Sequence, residues 1–405
     1  MSGATASPRA WPFYSDSARR GVDALVASGK VFVSGTSRPI EQFEERFRHR
    51  HGDVEHALMT NSGTSALLSA YFGLGLPAGS EVLVPTNTYR ATVTPLLLLG
   101  LRPVLCNADP ATGNIDLDDA VARITPNTTA IAVTHNWGRP VEMAAVTALA
   151  RRHGLAVLED CSHAHGAGLS GQPVGTFGDA AAFSLGNRKT VSGGTSGILL
   201  TKHRHVFERA LLLGQPEARG VRQVVDTELA RYVSSGFGAN LRAHPVSAVL
   251  AADHLDRLDE TIRIKNDNLD RLAALLADRL PGLLPPRRGA EFTAGTWYGY
   301  QCTWQGEAAT DADRDSLVAD LRLLGLPVSV PAPLLHHKAL FQGARVEGVP
   351  GRPGGTSGDP AQYAATDAMQ SRLVAWDTRH LYEPAPAVLE RWASGLDAYT
   401  ATHRK

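Results

Sequence analysis

The sequence predicts an α/β fold, with a large domain built on a mostly parallel mixed sheet flanked by helices and a smaller C-terminal α+β domain behind it. Three observations carry that expectation. Between about residues 81 and 200, short apolar β-branched runs alternate with stretches whose apolar residues recur every three to four positions, as strands and covering helices do in parallel sheets. After about residue 290 the strand-like and helical patterns no longer alternate regularly, which suits an α+β unit. The chain of 405 residues also exceeds what one hydrophobic core usually organises.

In order along the chain, residues 1–30 are expected to form an N-terminal arm and helix. Strands are expected at 81–85, 103–106, 130–134, 156–159, 180–184 and 197–200, and amphipathic helices at 64–74, 89–99 and 143–153. The Ala-, Leu- and Arg-rich stretch 244–280 reads as a long helix, with a possible interruption. It bridges a large domain over 31–259 to a small one over 260–405. The small domain should hold a strand within 292–304, a helix over 311–324 and a closing helix over 387–398. Residues 342–361 form a Gly- and Pro-rich segment that is either a functional lid or disordered.

Composition excludes several classes of function. Lys plus Arg and Asp plus Glu both total 40, and the basic residues are scattered. No footprint for nucleic acid or an anionic membrane results, so small molecules are the expected partners. Cys106, Cys161 and Cys302 lie far apart without a Cys-x-x-Cys pair, arguing against disulfides or a structural zinc. No apolar run approaches about 18 residues and residues 1–10 lack an apolar core. A cytoplasmic enzyme is expected, with no metal.

Three places could carry chemistry. Asn61-Ser62-Gly63-Thr64 precedes an apolar helix, where backbone amides form an anion site or Ser62 or Thr64 serves as an ordinary N-cap. Asp160 ends an apolar strand, where open α/β sheets bind ligands. Such a carboxylate can hold a pyridine nitrogen protonated, or simply cap a turn. Lys189 lies between strand 180–184 and Gly193-Gly194. Held out of water it could serve as nucleophile and base; otherwise it is a solvated loop lysine.

Taken together, Ser62-Gly63-Thr64, Thr88-Tyr89-Arg90-Ala91-Thr92, Glu159-Asp160, His165-Gly166-Ala167, Val174-Gly175-x-x-Gly178-Asp179-Ala180, Phe183-Ser184 and Lys189 resemble the DegT/DnrJ/EryC1/StrS aminotransferases, which aminate keto sugars and keto cyclitols. The resemblance runs from about residue 35 to 258 and continues weakly through Pro333-Leu334-Leu335-His336. It implies fold type I and the cofactor pyridoxal 5′-phosphate.

By position, the resemblance makes Lys189 the residue that carries the cofactor as a Schiff base and Asp160 the partner of its ring nitrogen. It places Gly63, Thr64 and Ser184 at the cofactor phosphate, Tyr89 against a ring face and His163 at the ring hydroxyl, with Ser62 also among the cofactor-binding residues. Asn240 matches the residue that reaches the phosphate bound by the neighbouring subunit, so a homodimer with shared sites is expected. Arg242 and His336 are candidate substrate contacts, Arg242 having an interface ion pair as its other reading, and His165 reads as structural.

Where the family commonly shows Gly-Glu-Gly-Gly after the lysine, this chain has Gly194-Thr195-Ser196-Gly197. That departure touches substrate choice or loop conformation. The expected reaction is ping-pong amino transfer from glutamate or glutamine to a keto sugar or keto cyclitol. Two alternatives stand beside it. The first is a sugar dehydratase or lyase using the same cofactor, in which His usually replaces the lysine; the second is a silent binding homologue.

Overall fold

The computed structural model describes residues 9–33, 35, 37–306, 311–344, 346–354 and 359–403. Seven strands form the central sheet: β1 (His56–Thr60), β2 (Glu81–Pro85), β3 (Arg102–Cys106), β4 (Thr128–Thr134), β5 (Ala156–Asp160), β6 (Ala180–Ser184) and β7 (Gly197–Thr201). Their order is β1-β7-β6-β5-β4-β2-β3. The five strands from β6 to β3 are parallel, while β7 runs antiparallel to both β6 and β1. The expected mostly parallel, mixed sheet is therefore present, with β1 as a strand the pattern did not predict. Its sequence His-Ala-Leu-Met-Thr is short and lies before the regular strand and helix alternation begins, so its signal is weak.

Buried residues cover both faces. One face packs Leu67 and Tyr71 of α3 (Gly63–Leu74) and Leu211 of α5 (Arg204–Gly214) onto Leu58, Val82, Leu158 and Leu199. The opposite face packs Phe43 and Phe47 of α2 (Arg38–Arg50) near Phe183 and Ile198, and Met143, Val146 and Leu149 of α4 (Met143–His153) near Leu83 and Ile131. Each such side chain contributes about 1.5–3 kcal/mol of hydrophobic burial. Ser62 caps α3, accepting from the Ser65 amide at 3.1 Å, and Gly75 at φ 65° ends it.

Expectation and structure part in a few places. The helix expected over 89–99 is a 3-10 turn, Arg90–Thr92, followed by the short helix Thr94–Leu98. Pro95 has no amide to continue an earlier helix and instead starts a new one. The stretch 244–280, in agreement with the expected interruption, is two helices, α6 (Pro245–Asp256) and α7 (Leu258–Arg279), broken at Arg257. The strand expected within 292–304 is two strands that join different sheets, Phe292–Thr293 and Tyr300–Trp304. Between them Gly295 lies so close to the His165 carbonyl that a Cβ there would sit 2.5 Å from it.

A second sheet, in the order β8 (Leu283–Leu284), β9 (Tyr300–Trp304), β11 (Leu373–Trp376) and β10 (Val328–Ser329), packs with α7, with α8 (Asp311–Leu323) and with α9 (Pro386–His403) around Leu272, Leu321, Trp376 and Trp392. Leu335, Phe341 and Tyr363, by contrast, pack into the core of the large sheet. The Gly- and Pro-rich segment lies beside them. Gly351 donates to the Leu97 carbonyl at 2.8 Å and Gly354 to that of Pro103 at 2.7 Å, which pins its described part to the β3 edge. Residues 345 and 355–358 of the segment fall outside the described residues.

Candidate active site

The carboxyl ends of the parallel strands open on a chamber of about 760 Å3, the position at which open α/β sheets bind ligands. Asn87 and Tyr89 follow β2, Asn136 and Trp137 follow β4, Asp160 closes β5 and is followed by His163, and Ser184 closes β6 and leads to Lys189. The start of α3 contributes Ser62, Gly63 and Thr64. The facing wall comes from Tyr298 and Gly299, which lead into β9 of the second sheet, and from Gln301 on that strand. Every cofactor-contacting residue expected from sequence lines this one chamber except Asn240.

Lys189 projects its Nζ to 3.7 Å from the centroid of the Tyr298 ring. Burial depresses its pKa to about 7, against an opposing pull from the Asp160 carboxylate. Arg188 immediately before it has φ 73°, a left-handed conformation uncommon for a residue with a side chain. Asp160 is itself held from two sides. Thr92 donates to its Oδ2 at 2.7 Å, and the Ser162 amide to its Oδ1 at 3.0 Å.

His163 accepts at Nδ1 from the Trp137 amide at 3.3 Å and stacks on Tyr298 with ring centroids 4.3 Å apart. Burial, then Lys189 and His165, drives its pKa well down. The neutral ring with Nδ1 accepting keeps its proton on Nε2, which is thus available as a donor. His165 donates from Nε2 to the Ser184 carbonyl at 2.9 Å, and burial lowers its pKa to about 3. It braces the strand end rather than lining the chamber.

At the start of α3, the amides of Gly63 and Thr64 meet no acceptor among the described residues. A Cβ on Gly63 would lie 2.6 Å from the Cβ of Ser184 and 2.8 Å from its Cα, so only glycine permits that approach. Two free amides at the positive end of a twelve-residue helix, facing a serine hydroxyl, suit a phosphate. With a carboxylate and a neutral-range lysine in the same chamber, the donor set fits pyridoxal phosphate.

Glu159 has a role that sequence did not reveal. Its buried carboxylate accepts from the amides of Gly175 (2.8 Å), Phe177 (2.9 Å) and Gly178 (2.7 Å), and lies 3.0 Å from His135 Nε2. The spaced glycines of 174–180 thus expose amides to one carboxylate. Trp11 was also unforeseen; from the N-terminal arm its Nε1 donates to the Lys189 carbonyl at 2.8 Å, and its ring stacks on Tyr382. Nothing in a lone Trp near the start signalled it. Trp137 could have been found, since Asn136-Trp137 follows a parallel strand's carboxyl end.

Three candidates lie elsewhere. Asn240 and Arg242 are exposed and outside this chamber; Asn240 accepts through its carbonyl from Asn61, and Arg242 bridges to Thr60. His336 is buried outside the chamber lining, with Nδ1 2.8 Å from the Thr86 hydroxyl and Nε2 3.0 Å from Asp367. Both its nitrogens are occupied by the protein. In the Gly194-Thr195-Ser196-Gly197 turn, Ser196 is buried and Gly197 packs on the Ser62 carbonyl, 2.4 Å from where a Cβ would stand.

The sheet and the chamber define a pyridoxal-phosphate-dependent transferase of fold type I. The chain belongs to the DegT/DnrJ/EryC1/StrS aminotransferase family, whose model matches residues 16–348. It is similar to an L-glutamine:2-deoxy-scyllo-inosose aminotransferase of Streptomyces kanamyceticus, at 30% identity over 341 residues covering 82% of this chain and 79% of that one. It is also similar to an L-glutamine:scyllo-inosose aminotransferase of Streptomyces griseus, at 33% identity covering 72% and 69%. The crystal structure of a 3-amino-5-hydroxybenzoic acid synthase superposes with a TM-score of 0.83 at 26% identity, covering 98% of this chain and 100% of that one.

Proposed function

We propose that this enzyme transfers an amino group from glutamine or glutamate to a keto cyclitol or keto sugar, with Lys189 and Asp160 as its catalytic residues. The observation that carries the reading is the shared chamber of a lysine whose pKa is depressed to about 7 and a braced carboxylate. Pyridoxal phosphate, when bound, supplies an aldehyde carbon and an electron-withdrawing ring. Gly63, Thr64 and Ser184 would hold its phosphate with Ser62 beside them, Tyr89 would cover a ring face, and Nε2 of His163 would donate to the ring hydroxyl. Asp160 keeps the ring nitrogen protonated. Nζ of Lys189, about half neutral near pH 7 and more so above it, would serve as nucleophile and then as the base that takes a proton from the donor's α-carbon. In the second half it returns one to the acceptor carbon.

Glutamine is the favoured donor and a cyclitol the favoured acceptor, because relatives carrying those words in their names match most of the chain. A biosynthetic role in secondary metabolism or cell-surface sugar assembly belongs to the same proposal. The enzyme works as a homodimer. Support comes from Asn240, exposed and outside its own chamber, and from Val221, Val225, Tyr232 and Phe237, apolar side chains exposed in the segment before it. The N-terminal arm over 1–30, the large domain to 259 and the small domain after it are the units of this reading, favoured by the second sheet's own core, although Leu335, Phe341 and Tyr363 pack on the large sheet. A reducing cytoplasm suits three cysteines that are free and buried.

The test is spectroscopic. Glutamine should bleach the visible band of the loaded protein, and one keto ring from a panel of cyclitols and sugar nucleotides should restore it. Loss of water from a sugar without amine transfer would refute the reading.

A further inference from the structure

Trp137 stands between two chambers. Behind the cofactor chamber lies a second cavity of about 260 Å3, and the two share Asn136, Trp137, Gly299 and Gln301 in their walls. The indole occupies a slot shaped by two glycines. A Cβ on Gly113 would lie 2.9 Å from Cζ3 of Trp137, and one on Gly299 would lie 2.9 Å from Cδ1. No other residue type at either position leaves room for the ring.

The backbone is held as firmly as the ring. Trp137 has φ 54° and ψ 10°, a left-handed conformation that a bulky residue adopts only when its surroundings enforce it. The Gly299 amide donates to the Trp137 carbonyl at 3.2 Å, and the Trp137 amide donates to His163 Nδ1. Gly138, at φ 100°, is pressed against the His163 carbonyl and the Trp297 Cα, each 3.0 Å from where a Cβ would be. A partition so built does not swing freely.

We infer that Trp137 determines acceptor size, its indole closing the cofactor chamber around a single six-membered keto ring and keeping bulky ring substituents out of the cavity behind it. The inference rests on the proposed amino transfer and deepens it. On this ground the acceptor carries no large substituent on the edge that meets the indole.

The variant Trp137→Gly tests this cleanly, because glycine accepts the left-handed backbone and keeps the amide that meets His163. With the holoenzyme and glutamine, kcat/KM would be measured for a keto cyclitol and for the same ring bearing an O-benzyl group. The ratio of bulky to compact acceptor should rise at least about tenfold over the unmodified protein, on the scale of pocket-size discrimination. Free indole, refilling the slot, should raise the melting temperature of W137G alone and reverse the ratio. An unchanged ratio in W137G overturns the inference. Should the unmodified enzyme aminate no keto ring, the proposed function falls by itself. The melting experiment then still decides, since indole that fails to stabilise W137G selectively removes the partition as well.

Discussion

Nζ of Lys189 lies 3.7 Å from the centroid of the Tyr298 ring, and the same ring stacks on His163 at 4.3 Å. One aromatic side chain from the small-sheet side of the chamber thus meets two groups from the large-sheet side. The ring face favours an ammonium, whereas burial opposes one and holds the pKa of Lys189 to about 7. The two effects have opposite signs, and burial is the larger.

The pH dependence of cofactor loading follows. Only the neutral amine attacks an aldehyde, so reconstitution of the apoprotein with pyridoxal phosphate should accelerate as pH rises through about 7 and level off above it. An ordinary lysine, with a pKa near 10.4, would keep accelerating well into the alkaline range. Tyr298→Leu keeps bulk but removes the ring's attraction for the cation, worth about 0.5–1 kcal/mol. Its midpoint should fall by less than about one pH unit. Stopped-flow absorbance across pH 5.5–9.5, a range set about that midpoint, checks both. Borohydride reduction and peptide mass analysis should locate the label on Lys189, and Lys189→Ala should lose it.

Asp160→Asn removes the charge and leaves the shape. The asparagine oxygen can still accept from the Ser162 amide, and its NH2 can donate to the Thr92 hydroxyl, which accepts as well as donates, so the fold should persist. Breaking a buried charge pair costs on the order of 3 kcal/mol or more, and kcat should drop by about a hundredfold or more. Unchanged turnover with normal melting would show that the carboxylate has no part in the reaction.

Trp11 ties the N-terminal arm to the loop that carries Lys189. Its ring is 3% exposed, stacks on Tyr382 at 4.4 Å and lies 4.3 Å from His254. Trp11→Phe, which loses the bond to the Lys189 carbonyl, should destabilise by about 1 kcal/mol. Trp11→Ala, which also empties the slot, should cost about 3–5 kcal/mol and loosen cofactor binding. Urea denaturation of holo and apo protein separates the two effects.

How much of this was legible in the sequence depended on the range of the interaction. The parallel strands and the residues just past their ends were readable, because a short apolar run ending in a polar residue is a local pattern, and Asp160, Ser184 and Lys189 all sit there. β1 escaped because a short strand buried on both faces shows no alternation, and it lies before the regular strand and helix alternation that begins near residue 81. Tyr298 and Trp11 escaped for a different reason. Each reaches the site from more than a hundred positions away in sequence, and no local spacing encodes that meeting. His336 looked like a site residue by its neighbours in sequence, yet Thr86 and Asp367 claim its ring.

Gly63 offers the sharpest test of the phosphate cradle. A methyl group there would lie 2.6 Å from the Ser184 Cβ and 2.8 Å from its Cα, and a strand end cannot retreat as a flexible side-chain tip does. The helix start must therefore tilt away from β6, carrying the free amides of Gly63 and Thr64 out of reach of the phosphate. Alanine is intrinsically better in a helix by up to about 1 kcal/mol, so α3 itself should not suffer. Gly63→Ala should accordingly lower pyridoxal phosphate affinity by about tenfold or more, as expected from weakening charge-assisted bonds of about 1.5–3 kcal/mol each, while the apoprotein melts within a few degrees of the unmodified one. Titration of apoprotein by fluorescence quenching measures the affinity, and undiminished affinity in G63A would place the phosphate elsewhere.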